Sequence, residues 1–526
     1  MHSENPIKNP PHSIRRTAVF LSALLLAVCA FLSRPLNLSE HLDDWPRWSS
    51  WTIESQQISP ENVQAILEEY ASSDSLVQST TPPYTKPEPE QATASVVKPE
   101  EPLGSDRAYD RKVVDDYLHE NLQLSGSDAA FVSLAGFFEQ LNEPQRQPPI
   151  HVFHFGDSQI EGDRITGPLR NKWQSIWGGS GPGLISPLQP IPSLAMRHTW
   201  SDGWVRHAKY GRQDTAIVHD RFGIMAAFAT HPNQSSLDSV LPHLTFEPPP
   251  KSYLRNRSFN QVSLLLGQVD SGGQLHYQLN SFAERIIELE ADSFARRIDI
   301  PLPSLDSMEF ESLRLSFSGE VPEVDGVGMW RDSGIVVHNI AMRGSSGTLF
   351  RSLNRTQLTQ QFEGFRTGLI MLQYGGNAVP YLTDPASIKR FGGWFASQIR
   401  LFNQLLPGVP VVVMGPSDMA HKVSTRMETY AQLPAIRNAL KQATLEHNAL
   451  YWDIFEVMGG AGSMAAWVQS SPALASSDHI HFTTTGAREI SELFRQSIQT
   501  EWAMWQIDQF ENAKNLEEEN SAHHEE

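Results

Sequence analysis

Apolar and polar positions follow two textures along this chain. The first is a short apolar run followed by a helical stripe. Ile150 to Phe155 is such a run, aromatic-rich and closed by Gly156, which predicts a buried strand. Ile165, Leu169, Trp173 and Ile176 then recur at spacings of four, four and three, one face of a helix. Thr166 is placed to cap that helix, and Pro168 suits its first turn. Ala129 to Leu141 carries a similar stripe of Phe131, Leu134, Phe137, Phe138 and Leu141. The rhythm returns late in the chain with Gly334–Ala341, Leu369–Gln373, Val411–Met414 and Leu450–Phe455, all of strand length. Helical patterns separate them: the stripe from Phe391 to Leu406, then Tyr430 to Leu445 and Arg488 to Trp502. Strands that are apolar throughout and alternate with helices predict an α/β fold, a parallel sheet covered by helices.

The second texture fills residues 195–331. Gln261–Leu266, Gln274–Leu279, Arg285–Leu289, Arg297–Ile300 and Ser312–Phe317 are short, several alternate apolar with polar, and turn residues divide them. This is the pattern of an antiparallel β-sandwich, inserted after the first strand–helix unit. Its Trp200, Trp204, Tyr210, Tyr253, Tyr277 and Trp330 suit either a sandwich core or stacking on sugar rings. Between the two textures lies Trp177-Gly178-Gly179-Ser180-Gly181-Pro182-Gly183, either a flexible turn or a loop bordering a site.

Divided on these patterns, residues 109–194 and 332–505 form the two parts of the α/β domain around the insert at 195–331. Residues 1–16 are polar with Lys8, Arg15 and Arg16, and 17–33 contain the apolar run Ala18 to Leu32. Basic residues ahead of an apolar run predict export with a cytoplasmic N-terminus. The run is short against the about 17–25 residues of a spanning helix, and Val28-Cys29-Ala30 also passes as a cleavage site. The expectation is an inner-membrane anchor with a periplasmic body, or a periplasmic protein if the segment is cleaved. Residues 34–108 read as a disordered Pro/Glu-rich linker, and 506–526 as an acidic, solvated and frayed tail.

Composition narrows the chemistry. A net charge of −19 over 526 residues argues against a nucleic-acid partner, because phosphate binding needs clustered Lys and Arg. The single cysteine, Cys29, sits in the apolar N-terminal run. The body therefore has no disulfide, thiol nucleophile or Cys-based zinc site, and no H-E-x-x-H motif calls for a metal. No cofactor is expected.

The ends of the apolar runs carry the candidate chemistry. Gly156-Asp157-Ser158 follows the first, Arg343-Gly344-Ser345 the next, and Gly375-Gly376-Asn377 the one after. Ser477-Asp478-His479-Ile480-His481-Phe482 precedes the last helix. A serine between a strand's carboxyl end and a helix start lies where open α/β sheets keep their ligands. A G-x-S-x-G elbow is missing, which argues against a typical α/β-hydrolase.

In order and context these four blocks resemble those of the SGNH (GDSL-type) hydrolase family. The resemblance implies a flavodoxin-like SGNH fold, with Ser158 as nucleophile, His481 as base and Asp478 as its orienting acid. It also implies an oxyanion hole from the Ser158 and Gly344 backbone N–H groups and the Asn377 amide. Family spacing selects His481 over His479, and His151 and His154 are expected to be structural. Two positions depart from the family pattern: Gln159 stands where Leu is usual, and Ala378 where Asp is frequent. The FGDSQIEGD start, the glycine-rich segment and the long β insert further resemble exported peptidoglycan O-acetylesterases, whose insert is a carbohydrate-binding-like sandwich. The implied partner is an O-acylated glycan. Acetyl transfer to an exported polysaccharide and an inactive glycan-binding protein are the alternatives.

Overall fold

The computed structural model describes residues 124–524, apart from 144–147, 213, 233–239, 293 and 303–309. The expectations for residues 1–16, 17–33 and 34–108 lie outside the described residues. Within them, no helix is long and apolar enough to cross a membrane.

Six strands form the central sheet: β1 (Leu124–Ser125), β2 (Ile150–Gly156), β3 (Ile335–Ala341), β4 (Arg366–Gln373), β5 (Val411–Met414) and β6 (Leu450–Trp452). Their spatial order is β1-β6-β5-β4-β2-β3. β2 to β6 are mutually parallel, whereas β1 runs antiparallel to β6. The sheet is therefore mixed rather than purely parallel. The parallel strands follow the flavodoxin-like order 2-1-3-4-5, whose switch point falls between β2 and β4.

β2 shows why the strands read as largely apolar runs. All seven residues are buried. Phe153 and Phe155 enter one core, and Ile150 and Val152 enter the other. A two-residue period thus feeds both faces of the sheet. Each such Phe, Ile or Val contributes about 1.5–3 kcal/mol by leaving water.

The chain adds helices α1 (Asp128–Asn142), α2 (Thr166–Trp177), α3 (Arg355–Glu363), α4 (Pro385–Leu405), α5 (Leu433–Leu445), α6 (Ile454–Met458), α7 (Ser463–Gln469) and α8 (Thr484–His524). Phe137 of α1, Trp173 of α2 and Phe494 of α8 cover the Val152 face. Phe362 of α3, Phe395 of α4 and Leu440 of α5 cover the Phe153 face. A side chain closes the start of α4: Asp384 accepts from Ala386 and Ser387 N–H at 3.0 and 2.9 Å, with Pro385 in the first turn.

Three local expectations change. Thr166 lies inside α2 and is bonded to the ring of His154 at 2.9 Å, while Ile165 occupies the cap position without a side-chain bond. The run Leu450–Phe455 stops being a strand at Trp452, because Asp453 caps α6 and pairs with Arg437. Helix α8 continues past Trp502 through the acidic stretch to His524, where a frayed end was expected.

Between α2 and β3 the chain builds two antiparallel sheets. One has the order Arg285–Leu289, Gly273–Leu279, Leu313–Gly319, His243–Glu247, Arg197–Trp200. The other runs Arg296–Pro301, Gln261–Leu266, Val324–Trp330, Ala227–Thr230, Val205–Ala208, with Gly183–Ile185 also paired to Val324–Trp330. Leu244, Phe246, Leu275 and Phe317 of the first sheet share a core with Val262, Leu264, Val324 and Met329 of the second. Trp204, Tyr210, Tyr277 and Trp330 are buried, and Trp200 is 40% exposed.

The glycine-rich loop lies at the amino end of β3, away from the carboxyl ends that carry the candidate site. A Cβ on Gly179 would come 2.4 Å from the Ile335 carbonyl, and one on Gly181 2.4 Å from that of Met329. Both residues also have positive φ. Close backbone approach explains this glycine run.

Candidate active site

β2 ends in a turn whose geometry is local. The Asp157 carboxylate accepts from Gln159 N–H at 2.9 Å, an Asx turn that leaves Ser158 half-buried at the switch point. Beyond it, Gly162 and Asp163 both adopt positive φ, and buried Asp163 receives both terminal nitrogens of Arg170 at 2.7 and 2.8 Å. The same guanidinium donates to the Val337 carbonyl at 2.6 Å, anchoring the Ser158 segment to β3.

The His481 loop precedes α8. Asp478 Oδ1 accepts from the N–H groups of Ile480 and His481 at 2.9 and 3.0 Å. Its Oδ2 lies 2.7 Å from His481 Nδ1. On the far side of the ring, His481 Nε2 is 2.9 Å from Ser158 Oγ. The partial burial of Asp478 would raise its pKa, but the bonds from the His481 ring and from the backbone outweigh it and bring the group to about 2. Asp478 is therefore ionised at neutral pH and Nδ1 carries the imidazole proton. Nε2 is left as the acceptor for the Ser158 hydroxyl. His479 takes positive φ, and its carbonyl accepts from Ala420 N–H at 3.0 Å. His479 Nδ1 has no hydrogen-bond partner among the described residues.

Two further sequence candidates stand at neighbouring strand ends, in turns tied to the residues that precede Ser158. Met342 N–H bonds to the Gly156 carbonyl at 2.7 Å, and Ser345 N–H to the Met342 carbonyl at 3.0 Å. Gly344 has φ 80° in that turn, the left-handed value a type II turn requires at its third residue. Asn377 stands on a short 3₁₀ turn after β4. Its amide is engaged on both sides, donating to Asp157 Oδ2 and to the Ser345 carbonyl, each at 3.0 Å. An oxyanion at this point would have to replace one of those acceptors. Burial raises the Asp157 carboxyl to about 6 against the opposing bond from Gln159 N–H, the nearby His481 and the Asn377 amide.

Residues to which the sequence reading gave no role complete the surround. Arg164 donates to three carbonyls, those of Ser158 at 2.8 Å, Phe482 at 2.9 Å and Glu161 at 3.0 Å. Arg343, beside Gly344, pairs with the Glu161 carboxylate at 2.5 Å. Gln159 donates to the Ile480 carbonyl at 2.7 Å. Gln159 had a visible signal, its departure from the family's Leu; Arg164, Glu161 and Arg343 had none. His151 and His154 lie buried behind the site. The ring of His151 bonds to that of His338 at 2.9 Å, and His154 to Gln373 at 3.1 Å. Burial holds both well below the usual histidine value, at about 3. Among the described residues, no group of three or more His, Cys, Asp or Glu side chains gathers as a metal would require.

Fold and site together define an α/β protein with a serine, an imidazole and a carboxylate in hydrogen-bonded series at the sheet's switch point. No family model matches the sequence, and no curated protein matches it. Among solved structures, a peptidoglycan O-acetylesterase superposes with a TM-score of 0.57 at 17% identity, over 72% of this chain and 98% of that one. A family two carbohydrate esterase from Cellvibrio japonicus gives a TM-score of 0.24 at 8% identity, over 59% of this chain and 98% of that one. A carbohydrate esterase family 2 enzyme with a carbohydrate-binding domain from Corynascus thermopiles gives 0.25 at 10% identity, over 50% and 95%. The first likeness shows a shared fold, and the other two are too low to carry an argument.

Proposed function

We propose that the chain is a serine esterase of the SGNH type that removes acyl groups, O-acetyl foremost, from a cell-envelope glycan such as peptidoglycan. The observation that carries this reading is the continuous contact from Ser158 Oγ through His481 to the Asp478 carboxylate. In the reaction, His481 Nε2 takes the Ser158 proton as Oγ attacks the ester carbonyl. The tetrahedral oxyanion faces the N–H groups of Ser158 and Gly344, with Asn377 as third donor. His481 then passes its proton to the departing sugar oxygen, leaving acyl-Ser158. Water, deprotonated by His481, attacks this ester and releases the carboxylate with Ser158 restored. Asp478, ionised throughout, steadies the imidazolium formed in each half.

The likeness to a peptidoglycan O-acetylesterase supports the choice of glycan, and the N-terminal pattern of the sequence supports an exported, membrane-anchored or periplasmic body. The test is acetate release from O-acetylated cell-wall glycan, with de-acetylated glycan and Ser158→Ala as controls. Release by the wild type alone is expected. Acetyl appearing on an added sugar acceptor instead of as free acetate would convert the reading to a transferase.

A further inference from the structure

The loop bearing His481 does not belong to the sheet that presents Ser158. It joins the chain between α7 and α8, and Asp478 on it is a third exposed. Its internal bonds, Ser476 N–H to the His481 carbonyl at 2.8 Å and His479 N–H to the Ser476 carbonyl at 3.0 Å, fix its shape and not its distance from Ser158. Outside bonds run from Ala420 N–H to the His479 carbonyl and from Leu474 and Ala475 N–H to the Trp467 carbonyl, and Phe482 is buried against the Trp467 ring. None of these contacts is made by the nucleophile turn, so the Ser158–His481 separation of 2.9 Å is set most directly by ties from that turn itself.

Two side chains of that turn supply them. Gln159 Nε2 donates to the Ile480 carbonyl at 2.7 Å, and Gln159 Oε1 accepts from Phe482 N–H at 3.4 Å. The residues on both sides of His481 are thus held by one amide. Gln159 Nε2 also reaches Ser417 Oγ at 3.5 Å. Arg164 adds a second prong, joining the Phe482 carbonyl to the Ser158 and Glu161 carbonyls. All three acceptors of this guanidinium are backbone oxygens, so its hydrogen bonds fix backbone positions.

We propose that Gln159 and Arg164 are positioning residues that clamp the His481 loop onto the nucleophile turn and set the Oγ–Nε2 distance. This rests on the proposed function for its kinetic consequence and on the geometry alone for its structural one. A misplacement of about 1 Å between reacting groups costs about 10²-fold in rate. A leucine at position 159 would fill space but make neither bond.

The test compares Gln159→Leu, Gln159→Glu, Arg164→Lys and Arg164→Gln with wild type, using 4-nitrophenyl acetate hydrolysis and fluorophosphonate labelling of Ser158 followed by intact mass. Gln159→Leu should lower kcat and the labelling rate together by about 10- to 100-fold, with KM within about twofold and Tm almost unchanged. Gln159→Glu should fall at least as far, since a carboxylate faces the Ile480 carbonyl without a proton to donate. Arg164→Lys, which keeps one charged donor, should lie between wild type and Arg164→Gln. Wild-type kcat and labelling in Gln159→Leu would overturn the clamp while leaving the esterase reading intact. A wild type that labels at Ser158 but hydrolyses no ester would overturn the esterase reading, and the labelling rates would then decide the clamp. A wild type that does not label at Ser158 overturns both.

Discussion

The Asn377 amide and the Asp157 carboxylate are joined by a 3.0 Å hydrogen bond directly behind Ser158. The acid is buried and its pKa is raised to about 6, so its charge and the orientation of the amide are coupled. In the folded protein Asp157 binds its proton more tightly than the unfolded chain does. The pair therefore costs stability progressively as pH rises from about 4 to about 6, and the cost is constant above that window. Asp157→Asn removes the titration. The unfolding free energy of this variant relative to wild type should climb between pH 4 and pH 6 and then level, by an amount on the order of 3 kcal/mol. A difference that stays flat across pH 4 to 7 would show that Asp157 titrates normally.

Ser158→Ala should abolish hydrolysis of a small acetate ester, by about 10⁴-fold or more in kcat, with little change in Tm. His481→Ala should match it. His479→Ala should stay within about twofold in kcat, because His479 shares no hydrogen bond with Ser158. Equal losses for the two histidines would undo the assignment of the base.

Of the insert aromatics read from sequence, Trp200 is the most exposed, at 40% on an edge strand, whereas Trp330 is 2% exposed. Trp200→Ala should weaken turnover of polymeric glycan while sparing the small ester, since remote contacts position only the larger substrate. Trp330→Ala should instead lower stability by about 3–5 kcal/mol. Thermal unfolding alongside both assays separates these outcomes, and an unchanged polymer rate in Trp200→Ala would remove that residue from the binding surface.

His198 stacks on Phe246 at 4.4 Å, is buried, and has no hydrogen-bond partner on either ring nitrogen among the described residues. Burial lowers its pKa to about 3. The unfolded chain takes up a proton near pH 6.5 that the folded chain refuses, so stability is full above that pH and is lost down to about pH 3. His198→Phe should flatten this acid slope by about 1.4 kcal/mol per pH unit within the window. Parallel wild-type and variant curves between pH 6 and pH 4 would contradict the shift.

The central strands were legible because burial on both faces leaves mostly apolar positions, as β2 shows from Ile150 to Gly156, where His151 and His154 alone interrupt the run. The insert was legible only where alternation ran long enough. Gln261–Leu266 and Arg285–Leu289 have the bounds read from sequence, but Arg197–Trp200 and Val205–Ala208 span four residues each and gave no pattern. β1, at two residues, carried still less signal, and it is the strand that makes the sheet mixed. At the candidate site, Ser158, Asp478 and His481 were read from motif order, and the fold brings them into contact. Arg164 was invisible because its bonds reach backbone carbonyls, one of them 318 residues away, and no side-chain spacing encodes such a partner. The engagement of Asn377 with the Asp157 carboxylate and the Ser345 carbonyl was hidden because these partners lie 220 and 32 residues away in the chain.

Ile150 and Ile335 are register partners in adjacent parallel strands, yet the whole sandwich lies between them in the chain. The segments that enter and leave the sandwich, Gly183–Ile185 and Val324–Trp330, are themselves paired. Once the sandwich has formed, the loop that β2 and β3 must close shrinks to two short connections, and most of its entropy has already been lost. The expected order of assembly on refolding is the sandwich first, with the sheet that carries Ser158 completed on it. Pulsed hydrogen exchange during refolding should protect Gln261–Leu266 and Val324–Trp330 before β2. Simultaneous or reversed protection would mean that β2 and β3 find each other across an open chain.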